Sequence, residues 1–162
     1  MTIIAYRDGI MAGDSLSTRG SSIAGMTPKV AKNNHGCLIG TAGHGVFCHL
    51  VRNWFLEIEK VTAEKPFGDL SPPVTDEGSG AILVAANGDV YDLSQGVIMK
   101  SSEFDLYGFV AIGCGCDFGF GAMAAGASAI EAAEISTRFS NDCGGEVHSV
   151  RLDSMGATNG PA

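Results

Sequence analysis

The chain has 162 residues, 45% hydrophobic and 17% charged, a size that fits one domain able to bury a core without disulfide or metal staples. It contains no run of eighteen apolar residues and no basic segment leading into an apolar stretch, which argues against a membrane partner and a secretory signal and reads as soluble and cytoplasmic. The formal charge of −8, with ten Lys and Arg against eighteen Asp and Glu, repels phosphate backbones and argues against nucleic acid as the main partner.

Thr2 follows the initiator Met directly and is followed by the apolar stretch Ile3-Ile4-Ala5-Tyr6. An initiator Met before a small residue is commonly removed, which would leave a hydroxyl nucleophile and a free α-amine on one residue. An α-amine has a pKa of roughly 7.7–8.0, so near neutrality it can accept the hydroxyl proton. Asp8-Gly9 between two apolar stretches predicts a hairpin, so Thr2 starts a buried strand rather than a frayed tail. Retention of Met1 would lock the amine in a peptide bond.

Ser15 to Thr27, rich in Ser, Gly and Thr, predicts a turn and short strands. Lys29 to Lys32 and Cys37 to Thr41, joined by Asn33-Asn34-His35-Gly36, predict a second hairpin with an almost wholly apolar, central arm. From Gly45 to Val61 the apolar residues Val46, Phe47, Leu50, Val51, Trp54, Phe55, Ile58 and Val61 recur at spacings of three and four, which predicts a helix over that whole range. Thr62 to Ser79, with Pro66, Pro72 and Pro73, lacks periodicity and reads as a surface excursion.

Ala81 to Ala85, the Asn87-Gly88 turn, Val90 to Leu93, Val97 to Met99 and Tyr107 to Ile112 predict a meander of strands. A Gly-rich opening then precedes a helix from about Phe118 to Ala125, and Ser128 with Glu131 forms a capping box for a helix through Phe139. Glu146 to Leu152 is the last strand. Residues 1–152 therefore read as one domain and 153–162 as a flexible tail. Strands, a helix, strands, helices and a strand in that order predict an α+β fold with mainly antiparallel sheets and helices on the outer faces.

Cys37, Cys48, Cys114, Cys116 and Cys143 are an odd count in apolar or Gly-rich settings, which fits reduced thiols better than a disulfide framework. Cys114-Gly115-Cys116 lacks the two-residue spacer of a zinc knuckle, and no ligand set is completed nearby. No metal or cofactor is expected. Cys114 or Cys116 acting as a nucleophile with a His is a weaker reading than packing.

A Thr nucleophile at the chain start needs a cation to favour the alkoxide, an acid to hold that cation and a backbone N–H for the oxyanion. Lys29, Asp14 and Gly40 are the candidates. Glycine lets an N–H approach an oxyanion without a side chain in the way.

With Thr2 through Asp14-Ser15, Lys29-Val30, Ile39-Gly40-Thr41-Ala42-Gly43, Ala111-Ile112-Gly113-Cys114-Gly115 and Cys143-Gly144-Gly145, the chain resembles the proteasome β-subunit and HslV-type peptidase family of N-terminal nucleophile hydrolases. It is especially similar to short bacterial or phage HslV-like subunits. The resemblance implies a four-layer αββα sandwich and assembly into a homo-oligomer of stacked rings. It also implies hydrolysis of unfolded polypeptide substrate fed by an ATP-dependent unfoldase. In that frame Thr2 is nucleophile and base, Lys29 the cation, Asp14 its holder and Gly40 the oxyanion donor. Two positions depart from the family: Cys114 stands where Ser is usual, and Ser140 replaces a supporting acid, a role Asp142 can also take, with Cys143 where proteasomes often carry Ser. A thiol is the weaker hydrogen-bonding partner, so these departures motivate one alternative, a catalytically silent ring subunit of the same fold; a further alternative is a small-molecule amidohydrolase with the same N-terminal logic.

Overall fold

The computed structural model of the chain describes residues 2–62, 64–67, 70–74 and 77–153. Within these, β1 (Ile4–Arg7) and β2 (Ile10–Gly13) form the first hairpin, with Ala5 opposite Ala12 and Tyr6 opposite Met11. Its turn places Asp8 and Gly9 at φ 51° and 77°, the left-handed pair of a turn whose twist suits two antiparallel strands. An exposed ribbon of β3 (Leu16–Arg19) and β4 (Ser22–Met26) follows, as the polar stretch predicts.

The second hairpin is β5 (Val30–Lys32) and β6 (Leu38–Ala42), and β6 is buried along its whole length. Helix α1 spans Gly45–Leu56, five residues shorter than the apolar spacing predicts. Two side chains from the β5–β6 turn meet the chain where the helix ends: Asn33 Nδ2 donates to the Phe55 carbonyl (3.4 Å), and the His35 ring bonds the carbonyl of Ile58 just past the end (2.9 Å). Carbonyls at a helix end need such partners once the helical ladder runs out. Ile58 is still buried, so its apolar character belongs to the core and not to a helix.

The described part of the excursion after Thr62 carries no helix or strand, yet Phe67 is fully buried. It lies 6.3 Å from the Phe55 ring and edge-on to Tyr91 at 5.3 Å. The meander appears as β7 (Gly80–Val84), β8 (Val90–Ser94) and β9 (Val97–Lys100). A short helix, α2 (Ser102–Tyr107), then occupies part of the predicted strand; Ser101 Oγ caps it by accepting from Phe104 N–H, and Gly108 ends it in the left-handed region. β10 covers Phe109–Ile112, α3 Cys116–Ala124, α4 Ala129–Phe139 and β11 His148–Arg151. The predicted capping box is present at the start of α4.

The strands form a four-stranded sheet ordered β10-β1-β2-β11, the β3-β4 ribbon and a five-stranded sheet ordered β5-β6-β7-β8-β9, antiparallel at every pairing. Side chains alternate across each strand. Ile3 and Ala5 pack with Met123, Ala132 and Ala133 of α3 and α4. Ile4 and Tyr6 instead meet Leu38, Ile82 and Val84 of the five-stranded sheet. The other face of that sheet, through Ile39, Leu83 and Leu93, packs on Phe47, Val51 and Phe55 of α1. The fold is thus α+β, with antiparallel sheets and few helices, compatible with a sandwich.

At its far end the chain stays attached: Leu152 N–H donates to the Gly9 carbonyl at 2.9 Å, and Lys32 donates to Asp153 at 2.6 Å. Asp153 belongs to the segment 153–162 that the sequence predicts to be a flexible tail; its residues 154–162, and Met1, lie outside the described residues.

Candidate active site

Asp14 directly follows β2, where the chain leaves the four-stranded sheet, and is completely buried. A buried carboxylate must be matched by donors, since its desolvation is not otherwise offset. It accepts from three segments distant in sequence. Ile3 N–H donates to Oδ1 at 3.0 Å, Lys29 Nζ to the same oxygen at 2.8 Å, and Gly144 N–H to Oδ2 at 3.1 Å. The return bond from Asp14 N–H to the Ile3 carbonyl (3.3 Å) fixes the backbone next to Thr2. Lys29, at the entry to β5, is also buried, so its ammonium lies in the interior beside the start of the chain.

Thr2 is 4% exposed. Its carbonyl accepts from Gly115 N–H at 3.0 Å. Gly113, at φ 96°, sits against it: a Cβ there would lie 2.3 Å from the Thr2 carbonyl oxygen. The Ala-Ile-Gly-Cys-Gly segment therefore wraps the first residue so tightly that only glycine fits at that point.

Two cavities meet at Thr2. One, of about 490 Å³, is lined by Thr2, Lys29, Thr41, Gly43, Cys48 and Arg52 among others. The second, of about 830 Å³, runs past Gly43, His44, Ser79, Asp92 and Cys114. Thr2 and Gly43 border both.

Gly40 lies elsewhere. It is in the middle of β6, paired with Val30 on one side and Ile82 on the other, so its N–H faces a neighbouring strand. It borders neither of the cavities at Thr2. Its lack of a side chain serves packing between the sheets, because a Cβ would fall 2.4 Å from Ile4 Cγ2 and 2.9 Å from Met11 Sδ. Gly43, three residues on, is the glycine beside Thr2, at φ 124° with Ser79 Oγ in the space a Cβ would take. The same Ser79 Oγ accepts from His44 N–H at 3.0 Å. The sequence carries both glycines in one Gly-Thr-Ala-Gly run, and only the end of the strand at Ala42 tells them apart.

Cys114 is exposed and borders the second cavity. Ser140 caps the end of α4; its Oγ accepts from Asp142 N–H at 3.1 Å, and its carbonyl from Cys143 N–H at 3.4 Å. Asp142 itself is exposed. Cys143 is buried behind the site, its Sγ 2.5 Å from where a Gly115 Cβ would be. Burial pushes its thiol up to about 11, aided by the nearby Asp14 charge and opposed by Ser140 and Lys29. Cys143 therefore stays neutral near pH 7.

Ser136, unnoticed in the sequence because it sits inside the periodic pattern of α4, is fully buried and donates to the Gly115 and Ala132 carbonyls. Thr41 is buried in the cavity wall, where its hydroxyl meets Cys48 and its N–H donates to the Lys29 carbonyl at 3.0 Å.

No family model matches the chain, and no curated protein matches it in sequence. The α+β fold is shared with a solved protein of nearly the same length. The structure of Thiobacillus denitrificans BPH in complex with epoxomicin has a TM-score of 0.65 at 15% identity, covering 94% of this chain and 98% of that one. Thiobacillus denitrificans BPH alone gives 0.62 at 14% over the same shares.

Proposed function

We propose that this chain is a threonine-type peptidase subunit of the proteasome β-subunit and HslV kind, with the four-layer αββα arrangement of N-terminal nucleophile hydrolases. The observation that carries this reading is the buried Lys29–Asp14 pair bound to the backbone beside Thr2, where two cavities converge. The fold shared with a protein crystallised with epoxomicin, a proteasome inhibitor, supports it.

The chemistry starts with removal of Met1, which frees the Thr2 amine. That amine takes the proton from Thr2 Oγ as the oxygen attacks a peptide carbonyl. The Lys29 ammonium, held in place by Asp14, favours the developing alkoxide. The resulting oxyanion is stabilised by a backbone N–H, and Gly43, not Gly40, has the position for it. The amine then returns its proton to the leaving nitrogen, giving an ester on Thr2. A water deprotonated by the same amine hydrolyses that ester and regenerates the hydroxyl. Cys143, with Ser140 beside it, backs Gly115 in the segment that wraps Thr2, and its neutral thiol is a packing group and not a second nucleophile; Cys114 borders the second cavity.

Assembly into stacked rings in the cytoplasm, with unfolded polypeptide delivered by an ATP-dependent unfoldase, completes the proposal. The test is cleavage of an unfolded protein substrate by the purified chain, with mass spectrometry of its first residue. Thr2→Ala is expected to abolish cleavage while leaving the circular dichroism spectrum intact. A chain that keeps Met1 and cuts nothing would instead be a silent subunit, and cleavage that survives Thr2→Ala would overturn the mechanism.

A further inference from the structure

The cavity of about 490 Å³ beside Thr2 has a charge opposite to that of the molecule. The chain carries eighteen acidic residues against ten Lys and Arg, yet no Asp or Glu is among the described residues that line this space. Lys29, His49 and Arg52 are. The Lys29 charge is balanced by Asp14. Arg52, on α1, forms no ion pair among the described residues; one guanidinium nitrogen, Nη1, donates to the Pro28 carbonyl at 3.0 Å, and Nε is buried without an acceptor. Nε is closed to a ligand as it is to solvent, but the Nη end of the guanidinium is open, and a carboxylate is the acceptor a guanidinium pairs with best. The second cavity, across Thr2, has the other sign, with Glu77 and Asp92 in its wall.

We propose that, on the peptidase reading above, this cavity is a specificity pocket for an acidic side chain, so that the enzyme cuts polypeptides next to Glu or Asp. Arg52 is the residue that selects the carboxylate, and Leu16, Pro28 and Leu56 in the same wall cover the methylenes that carry it. Rejection of a neutral analogue follows because it would leave the guanidinium desolvated and unpaired, whereas an apolar pocket discriminates by size alone.

The experiment uses internally quenched peptides in which one position is Glu, Gln, Leu or Lys, scanned along an otherwise fixed sequence, with cut sites located by mass spectrometry. Cuts are expected beside Glu, with kcat/KM at least about tenfold above the Gln peptide. Arg52→Met is expected to bring the Glu-to-Gln ratio close to one, and Arg52→Lys to restore much of it, with circular dichroism checking that each variant folds. Equal cutting of the Glu and Gln peptides by the unaltered protein overturns this inference even if no variant folds, and leaves the peptidase reading standing. A preference for Glu that Arg52→Met leaves unchanged removes Arg52 as its cause. A peptide set left wholly uncut overturns the peptidase reading itself, and this inference with it.

Discussion

Asp14 binds Ile3, Lys29 and Gly144 through a single carboxylate that no solvent reaches. Removing one partner of a buried pair leaves the other charge uncompensated, so Asp14→Ala should lower the unfolding free energy by about 3–5 kcal/mol in urea denaturation and remove peptide cleavage with it. Cys143 gives a pH signature. Its folded pKa of about 11 lies above the ordinary thiol value of 9.0, so between those values the unfolded chain ionises while the folded one keeps its proton. Stability should then fall as pH rises from about 9 to 11, and Cys143→Ser should flatten that fall in urea titrations run across the range. The pairing of Asp14 with Lys29 beside Thr2 could be anticipated at this scale because each has a side chain whose chemistry restricts its use. That Gly43 and not Gly40 borders the cavities could not, since the two differ only in whether strand pairing has already claimed the backbone. Arg52 escaped notice for a similar reason: on a helical face it reads as a solvated cation, and only the fold shows what it borders.

A local signal sufficed for some elements, while distant contacts decided others. The Ser128–Glu131 box is entirely local and stands as predicted. Ser128→Ala should lower Tm by roughly 2–4 °C. Bonds from the Ser128 backbone and hydroxyl hold the Glu131 carboxyl below its ordinary value of 4.5. That stabilising contribution is complete above the ordinary value and lost as acid protonates the group, so the difference between the two proteins should shrink in melts below about pH 4. Helix α1, by contrast, stops near the point where Asn33 takes the Phe55 carbonyl and His35 that of Ile58 beyond its end, and no window on α1 alone contains that information. Helix α2 was hidden because six residues are too few for a period, although Ser101 and Gly108 mark both ends. Phe67 looked like part of a Pro-rich excursion and instead fills the space between Phe55 and Tyr91.

For the molecule as a whole, several large apolar groups remain in solvent. Val46 and Leu50 on α1 are 60% and 50% exposed, and Phe118 and Phe139 stack across α3 and α4 at 6.4 Å while staying open to water. Exposed apolar surface of this kind suits contact with further copies. Light scattering should accordingly give a mass several times the 16.7 kDa of one chain, and Phe139→Glu should reduce it. The antiparallel α+β character was readable from the order of alternating segments; which sheet faces which helix was not, because alternation places residues on two faces without naming the neighbour across each. The bond from Gly144 to Asp14 spans 130 residues. During synthesis the Asp14 carboxylate must therefore wait for a donor made 130 residues after it, so the buried network beside Thr2 stays incomplete until Gly144 has emerged.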